Sequence, residues 1–309
     1  MQTTTLGRTG LTVSVAGLGC GGFSRIGITQ GLTHAAGIVR AAFDEGVTFF
    51  DTAAVYGTQE AVGAGLAGLP RDKYVLSTKF AYRGPAGLIT AEKAGESLAE
   101  SLRFLKTDYI DVFHIHALNA ADYGYALDTL LPFLQKAKEQ GKIRFLGVTE
   151  QFAVDTSHEM FKISLPDNLF DVIMTGYNIL NPSAAKSVLP LAIKNNTGVL
   201  NMFAVRSALH NPEQLKIDIS RILERGQGGE NLNENSLEFL TKDGLAQSLT
   251  EAAYRFCRHT AGISVTLTGT GNIEHLRENL KAINEAPLPE FALEKLAKLF
   301  GNVDCVSGQ

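Results

Sequence analysis

Four side chains of this sequence could move a proton together. Asp51 and Tyr56 lie in TFFDTAAVYG, Lys79 in YVLSTKF, and His116 in YIDVFHIHA. A phenol titrates near 10, too high for an efficient acid at neutral pH. An ammonium beside it favours phenolate and lowers that pKa. One full charge at 4 Å is worth about 4 kcal/mol at an effective dielectric of 20. A partly buried lysine needs a counter-ion to stay charged, a role open to Asp51. Neutral His116 can hydrogen-bond a carbonyl oxygen and orient it. The set therefore suits proton donation to a carbonyl. None of these side chains supplies an electron pair for reduction, so a bound hydride donor is required.

For these residues to meet, the chain must bring them to one rim. Short β-branched or aromatic runs alternate with longer amphipathic ones after residue 30. Strands are expected at Val13–Leu18, Thr48–Asp51, Tyr74–Lys79, Tyr109–His114, Ile143–Val148, Asp171–Met174, Val199–Phe203 and Ile263–Leu267. Helices are expected at about 34–45, 58–68, 90–105, 126–140, 154–162, 183–195, 246–259 and 272–284. Eight β/α units imply parallel pairing and a (β/α)8 TIM barrel, whose active site lies at the carboxyl ends of the strands. An open doubly wound sheet would usually lead from a glycine-rich turn straight into a helix. Here Gly19-Cys20-Gly21-Gly22 leads into a loop through Gly31. Residues 3–12 predict an N-terminal β-hairpin around Gly7-Arg8-Thr9-Gly10, placed to plug the bottom of the barrel. Residues 206–245 predict a long insertion after strand seven, with a helix near Pro212–Glu224. A single domain over residues 1–309 is the simplest organisation.

Composition narrows the function. The chain has 309 residues, 45% hydrophobic and 19% charged, which permits a sizeable core. Its 28 Lys+Arg against 32 Asp+Glu do not advertise nucleic-acid or anionic-membrane binding. Three scattered cysteines, Cys20, Cys257 and Cys305, make neither a disulfide framework nor a zinc cluster. With no secretory signal and no apolar stretch near the roughly 20 residues of a membrane span, a cytoplasmic protein is expected. His114 and His116 share one strand face, as in some metal-dependent barrel hydrolases. No further strand-end Asp or His completes a metal site, so no metal is expected and His114 reads as barrel interior. Cys20 reads as a small buried residue near the site.

The chain resembles the aldo-keto reductases almost end to end. The likeness rests on LGRTGLTVSVAGLGCGG (6–22), FFDTAAVYG (49–57), STKF (77–80), SLRFLKTDYIDVFHIH (101–116), GKIRFLGVT (141–149) and LTGTGNIEHLRENLKA (267–282). It implies a barrel that binds a nicotinamide dinucleotide without a Rossmann domain. It also implies a catalytic tetrad of Asp51, Tyr56, Lys79 and His116, with Tyr56 as general acid for carbonyl reduction and base in reverse. A small carbonyl or sugar substrate follows, as for the aldose and L-galactose dehydrogenases of that family. A cofactor-binding regulatory subunit with little turnover, as among the potassium-channel β-subunits, is the alternative.

The implied cofactor contacts depart from the family pattern. Thr149-Glu150 stand where Ser-Asn usually hold the nicotinamide carboxamide, and Met174 stands for the usual Gln. Phe203 is the candidate nicotinamide stacker, and Arg206 falls where a proline is common. Gly21 and Gly22 belong to the first glycine-rich loop. Gly269-Thr270-Gly271-Asn272 leads into a helix whose free N–H groups favour phosphate. Glu278 and Asn279 match adenine contacts. Gly269 and His275 occupy positions where NADPH-preferring members carry cations, with Arg277 nearby. NADP(H) is expected ahead of NAD(H), with weak discrimination. Phe23, Tyr82, Leu118 and Phe152 are expected to line the substrate pocket.

Overall fold

A computed structural model describes residues 1–309. Eight strands form a closed parallel barrel in chain order: Ala16–Gly19, Phe49–Asp51, Val75–Ala81, Ile110–Leu118, Ile143–Glu150, Val172–Gly176, Gly198–Met202 and Val265–Thr268. The last strand returns to the first, with Thr266 beside Ala16. Strand periodicity explains why these runs close. Phe49, Val75, Val112, Val172 and Leu200 point inward and pack together inside the barrel. Their neighbours Phe50, Leu76, Phe113, Ile173 and Val199 point outward and pack in the layer beneath the helices. Both faces are apolar because both are covered, as in any all-parallel sheet.

The hairpin pairs Thr3–Thr5 antiparallel with Thr12–Ser14. Leu6 is fully buried among the inward residues of the barrel, and Arg8 bonds Asp171 at the start of the sixth strand. The hairpin therefore takes Val13 and Ser14 from the expected first strand, and the barrel strand begins only at Ala16. Two expected helices are broken by proline, which lacks the N–H for an interior helical bond. A π-helical turn at Ala126–Leu130 precedes Leu131–Glu139, which has Pro132 in its first turn. The 183–195 segment divides into Ala184–Ser187 and Leu189–Lys194, the latter opening with Pro190 in its first turn. The expected 154–162 helix is a short helix, Glu159–Ser164.

After the seventh strand come helix Pro212–Glu224, capped by Asn211, and a short helix Phe239–Lys242. A final helix, Glu290–Phe300, follows the barrel and was absent from the sequence reading. Leu215, Ile219 and Ile222 of the insertion pack with Leu296, Leu299 and Phe300 in a second apolar core. No helix is long and apolar enough to cross a membrane.

Candidate active site

Asp51 ends the second strand, in register with Gly19 and Ser77. Lys79 lies on the third strand and His116 near the end of the fourth. Tyr56 stands in the turn Ala54–Tyr56, closed by Gly57 in the left-handed region. Gly21 lies flat against the phenol ring; a Cβ there would come within 2.5 Å of it. Only glycine lets the first loop approach Tyr56 so closely.

The four residues come together as expected. Lys79 Nζ donates to Asp51 Oδ2 at 2.6 Å and to the Thr52 carbonyl at 2.7 Å. It lies 5.0 Å from the centre of the Tyr56 ring. Tyr56 Oη is 3.3 Å from His116 Nε2. Lys79 is fully buried and Asp51 is 3% exposed, so their ion pair is shielded from water. Burial pulls the Lys79 pKa down, but Asp51 and Tyr56 more than offset it, and the ammonium persists. Burial and the Lys79 charge push His116 down to about 3, leaving a neutral imidazole. For Tyr56, burial raises the pKa and Lys79 is the strongest opposing influence. The expected role of Lys79 has the right sign, but burial outweighs it and the net shift is upward.

A cavity of about 1150 Å³ runs from Asp51 and Tyr56 to the helix Ile273–Asn284. Its walls include Gly21, Gly22, Phe23, Met174, Phe203, Arg206, Gly269, Thr270, His275, Glu278 and Asn279. Gly271 and Asn272 line a smaller cavity of about 520 Å³ beside it, together with Thr270 and Phe23.

Several expected contacts lie elsewhere. Glu150 is consumed by the chain itself: its carboxylate meets His158 Nδ1 at 2.9 Å and accepts from Thr175 Oγ1 at 2.9 Å and Gly176 N at 2.8 Å. Thr149 Oγ1 accepts from Ala117 N at 2.7 Å. Neither lines the cavity. Tyr82 donates to Asp122, Leu118 is fully buried, and Phe152 stacks on the His158 ring at 5.4 Å. Of the four expected pocket residues only Phe23 reaches the cavity wall, and it is 83% exposed.

The glycine turn also differs from expectation. Asn272 accepts from Glu274 N at 2.8 Å and His275 N at 3.1 Å, so these amides of the helix are capped rather than free. Gly269 and Gly271 are explained by close packing, since a Cβ on either would overlap backbone at Gly19 or Gly27. Arg277 pairs with Glu45 and Glu274 on the surface, each at 2.9 Å, and does not line the cavity.

Arg206 is the informative cation. Its guanidinium lies 3.6 Å over the Phe203 ring, so one face of the expected stacker is covered. It has no carboxylate partner within ion-pair distance, and its buried Nε has no hydrogen-bond partner. A Cβ on Gly22 would lie 3.5 Å from its terminal nitrogen. Gly21 packs against Tyr56, and the adjacent Gly22 lies beside Arg206.

The structure adds wall residues the sequence reading missed, notably Met202, Gln247, Ser248, Tyr254 and Lys281. Lys281 follows His275 and Glu278 at helical spacing, a signal that was legible.

Residues 17–299 match the model of the aldo/keto reductase family. The chain is 27% identical to an Arabidopsis thaliana protein named L-galactose dehydrogenase, over 91% of this chain and 87% of that protein. It is also 27% identical to a Pseudomonas D-threo-aldose 1-dehydrogenase, over 68% and 71%. A holo-form aldo-keto reductase from Bacillus halodurans superposes with a TM-score of 0.76 at 25% identity, covering 99% of this chain and 98% of that one. An aldo/keto reductase from Klebsiella pneumoniae, solved with NADP and acetate, shares the fold at a TM-score of 0.70 and 21% identity, over 98% and 97%.

Proposed function

Because the chain belongs to the aldo/keto reductase family, we propose that it reduces a small aldehyde or ketone, or oxidises an aldose in its lactol form, with a nicotinamide dinucleotide. The observation that carries this reading is the buried Lys79–Asp51 pair behind a Tyr56–His116 couple, at the end of a cavity large enough for a dinucleotide. Pockets for drug-sized ligands run to about 1,000 Å³, and this one exceeds that. The residues fit such a cofactor. Arg206, a half-buried cation without an anionic partner, suits its diphosphate, and the bare Gly22 leaves room alongside. Lys281 and His275 face the adenosine end, opposed by Glu278 and Glu285. These mixed charges fit weak discrimination between NADP(H) and NAD(H).

The bound nicotinamide supplies the hydride. The chain does the rest. His116, neutral, donates a hydrogen bond that orients the substrate oxygen, and Tyr56 delivers its proton to that oxygen. Lys79 keeps a positive charge beside the phenol as its proton leaves, and Asp51 holds the ammonium in place. Met174, Met202 and Phe203 give the adjoining wall an apolar character. The test is a panel of aldoses and small aldehydes, including L-galactose, assayed with both cofactors. Tyr56→Phe should lower kcat by about 10² or more while cofactor affinity, read by tyrosine fluorescence, is unchanged. Near-normal turnover in that variant would sink the assignment.

A further inference from the structure

The third barrel strand carries one more polar side chain inward, two residues before Lys79. Ser77 is fully buried, and its Oγ lies 2.7 Å from Asp51 Oδ1 and 3.0 Å from His114 Nε2. Strand register makes the juxtaposition: Asp51 faces Ser77, and His114 faces Lys79. A hydroxyl has one proton to give. The Asp51 carboxylate, ion-paired to Lys79, can only accept, so Ser77 donates to it. The other contact must then run from His114 Nε2–H to the Ser77 oxygen. Burial and the Lys79 charge keep His114 neutral, with a single N–H to place. Its Nδ1 then carries the lone pair, and no donor lies within hydrogen-bond distance of it. The ring rests on Gly147, where any side chain would overlap it.

We infer that Ser77 and His114 are positioning residues, a relay His114→Ser77→Asp51 that fixes the Asp51 carboxylate and, through Lys79, the charge that Tyr56 meets. The inference builds on the role proposed for Tyr56. Tyr56 feels Lys79, Asp51 and Arg206 and touches His116, and Cys20 feels Asp51 and Lys79. Of these, the relay bonds only to Asp51. Without the Ser77 hydroxyl, the Asp51 charge is less dispersed and opposes phenolate more strongly. If Asp51 instead takes a proton from Lys79, Tyr56 loses its favouring cation. Both routes make Tyr56 harder to ionise.

The test is an ultraviolet titration of phenolate on the full ligand-free chain, with Tyr56→Phe subtracted in each background. Circular dichroism at each pH checks the fold. Ser77→Ala should give about tenfold less Tyr56 phenolate at a given pH on the rising limb, a shift of about one unit. Ser77→Thr should restore the parent curve. His114→Leu should shift it the same way by less, and His114→Gln, which keeps a donor, should not. In the Ser77→Ala background His114→Leu should add nothing, because the relay is already cut. An unmoved or downward-shifted curve in Ser77→Ala overturns the inference. So does a His114→Leu shift of equal size in both backgrounds. Should Ser77→Ala fail to fold, the His114 pair decides on the same readout, and identical curves for Leu and Gln overturn it. Because no substrate is needed, a chain that turns over nothing counts against the reductase reading and leaves this result standing.

Discussion

At the scale of single residues, Lys79 is the most exacting test of the site's electrostatics. Burial already lifts the Tyr56 pKa, and Lys79 is the strongest influence against that lift. Removing the ammonium must therefore raise it further. In the proposed mechanism run in the oxidation direction, Tyr56 is the phenolate base, so the basic limb of the rate profile of Lys79→Met should move to higher pH or vanish. An unchanged limb would show the two groups to be uncoupled. The same variant strands Asp51, and breaking a buried pair costs about 3–5 kcal/mol, so thermal unfolding should fall in parallel. A second expectation concerns the adenosine end. His275 lines the cavity there. His275→Arg should tighten NADPH by about tenfold, or about 1.4 kcal/mol, through a charge-assisted pair, and leave NADH unchanged. Equal gains for both cofactors in fluorescence titrations would rule out a phosphate contact. The convergence of Asp51, Lys79 and His116 was legible in the sequence because they fall at or near the ends of successive strands, with Tyr56 in the turn after the second. Glu150 was not, because its partner His158 enters from a left-handed turn before a short helix. No periodicity links those two positions.

At the scale of elements, hydrophobic period told strands from helices but could not see where the chain turns. TVSVAGLG reads as one strand-forming run, yet its first part pairs with Thr3–Thr5 and only Ala16–Gly19 joins the barrel. Both halves are buried, so the pattern carries no break. Pro132 and Pro190 sit in the first turns of the helices that restart at Leu131 and Leu189, where proline is tolerated, so the apolar pattern shows no gap. The final helix has a readable face, with Ala292, Leu296, Leu299 and Phe300 at helical spacing, and lies beyond the eighth β/α unit. Its weight can be measured. Leu296 is 2% exposed in the second core. Leu296→Ala should cost about 2–5 kcal/mol, seen as a lower urea midpoint. A loss under about 0.5 kcal/mol would mean the site collapses around the smaller side chain, or that this core is dispensable.

At the scale of the whole molecule, the barrel divides its labour along the chain. The residues proposed to move the proton come from strands two to four and the turn after the second, and end at His116. The opposite wall of the cavity comes from the seventh and eighth strands and the helix Ile273–Asn284, together with the first loop. The two are joined only when the eighth strand zips onto the first, Thr266 to Ala16, Leu267 to Gly17 and Thr268 to Leu18. A chain ending at residue 264 should therefore retain no measurable NADPH binding in fluorescence titration; binding within tenfold of the full chain would show that closure is not needed.

That last-to-first closure also sets a schedule for biosynthesis. A ribosome adding roughly 5–20 residues per second delivers Asp51, Tyr56, Lys79 and His116 on the order of ten seconds before the strand that seals the barrel. During that interval Lys79 and Asp51 are exposed to water, the inward faces of the early strands lack their last neighbour, and the first strand presents an open edge. Such an edge is where a nascent chain meets other strands. That edge stays open until Val265–Thr268 has emerged to pair with Ala16–Gly19.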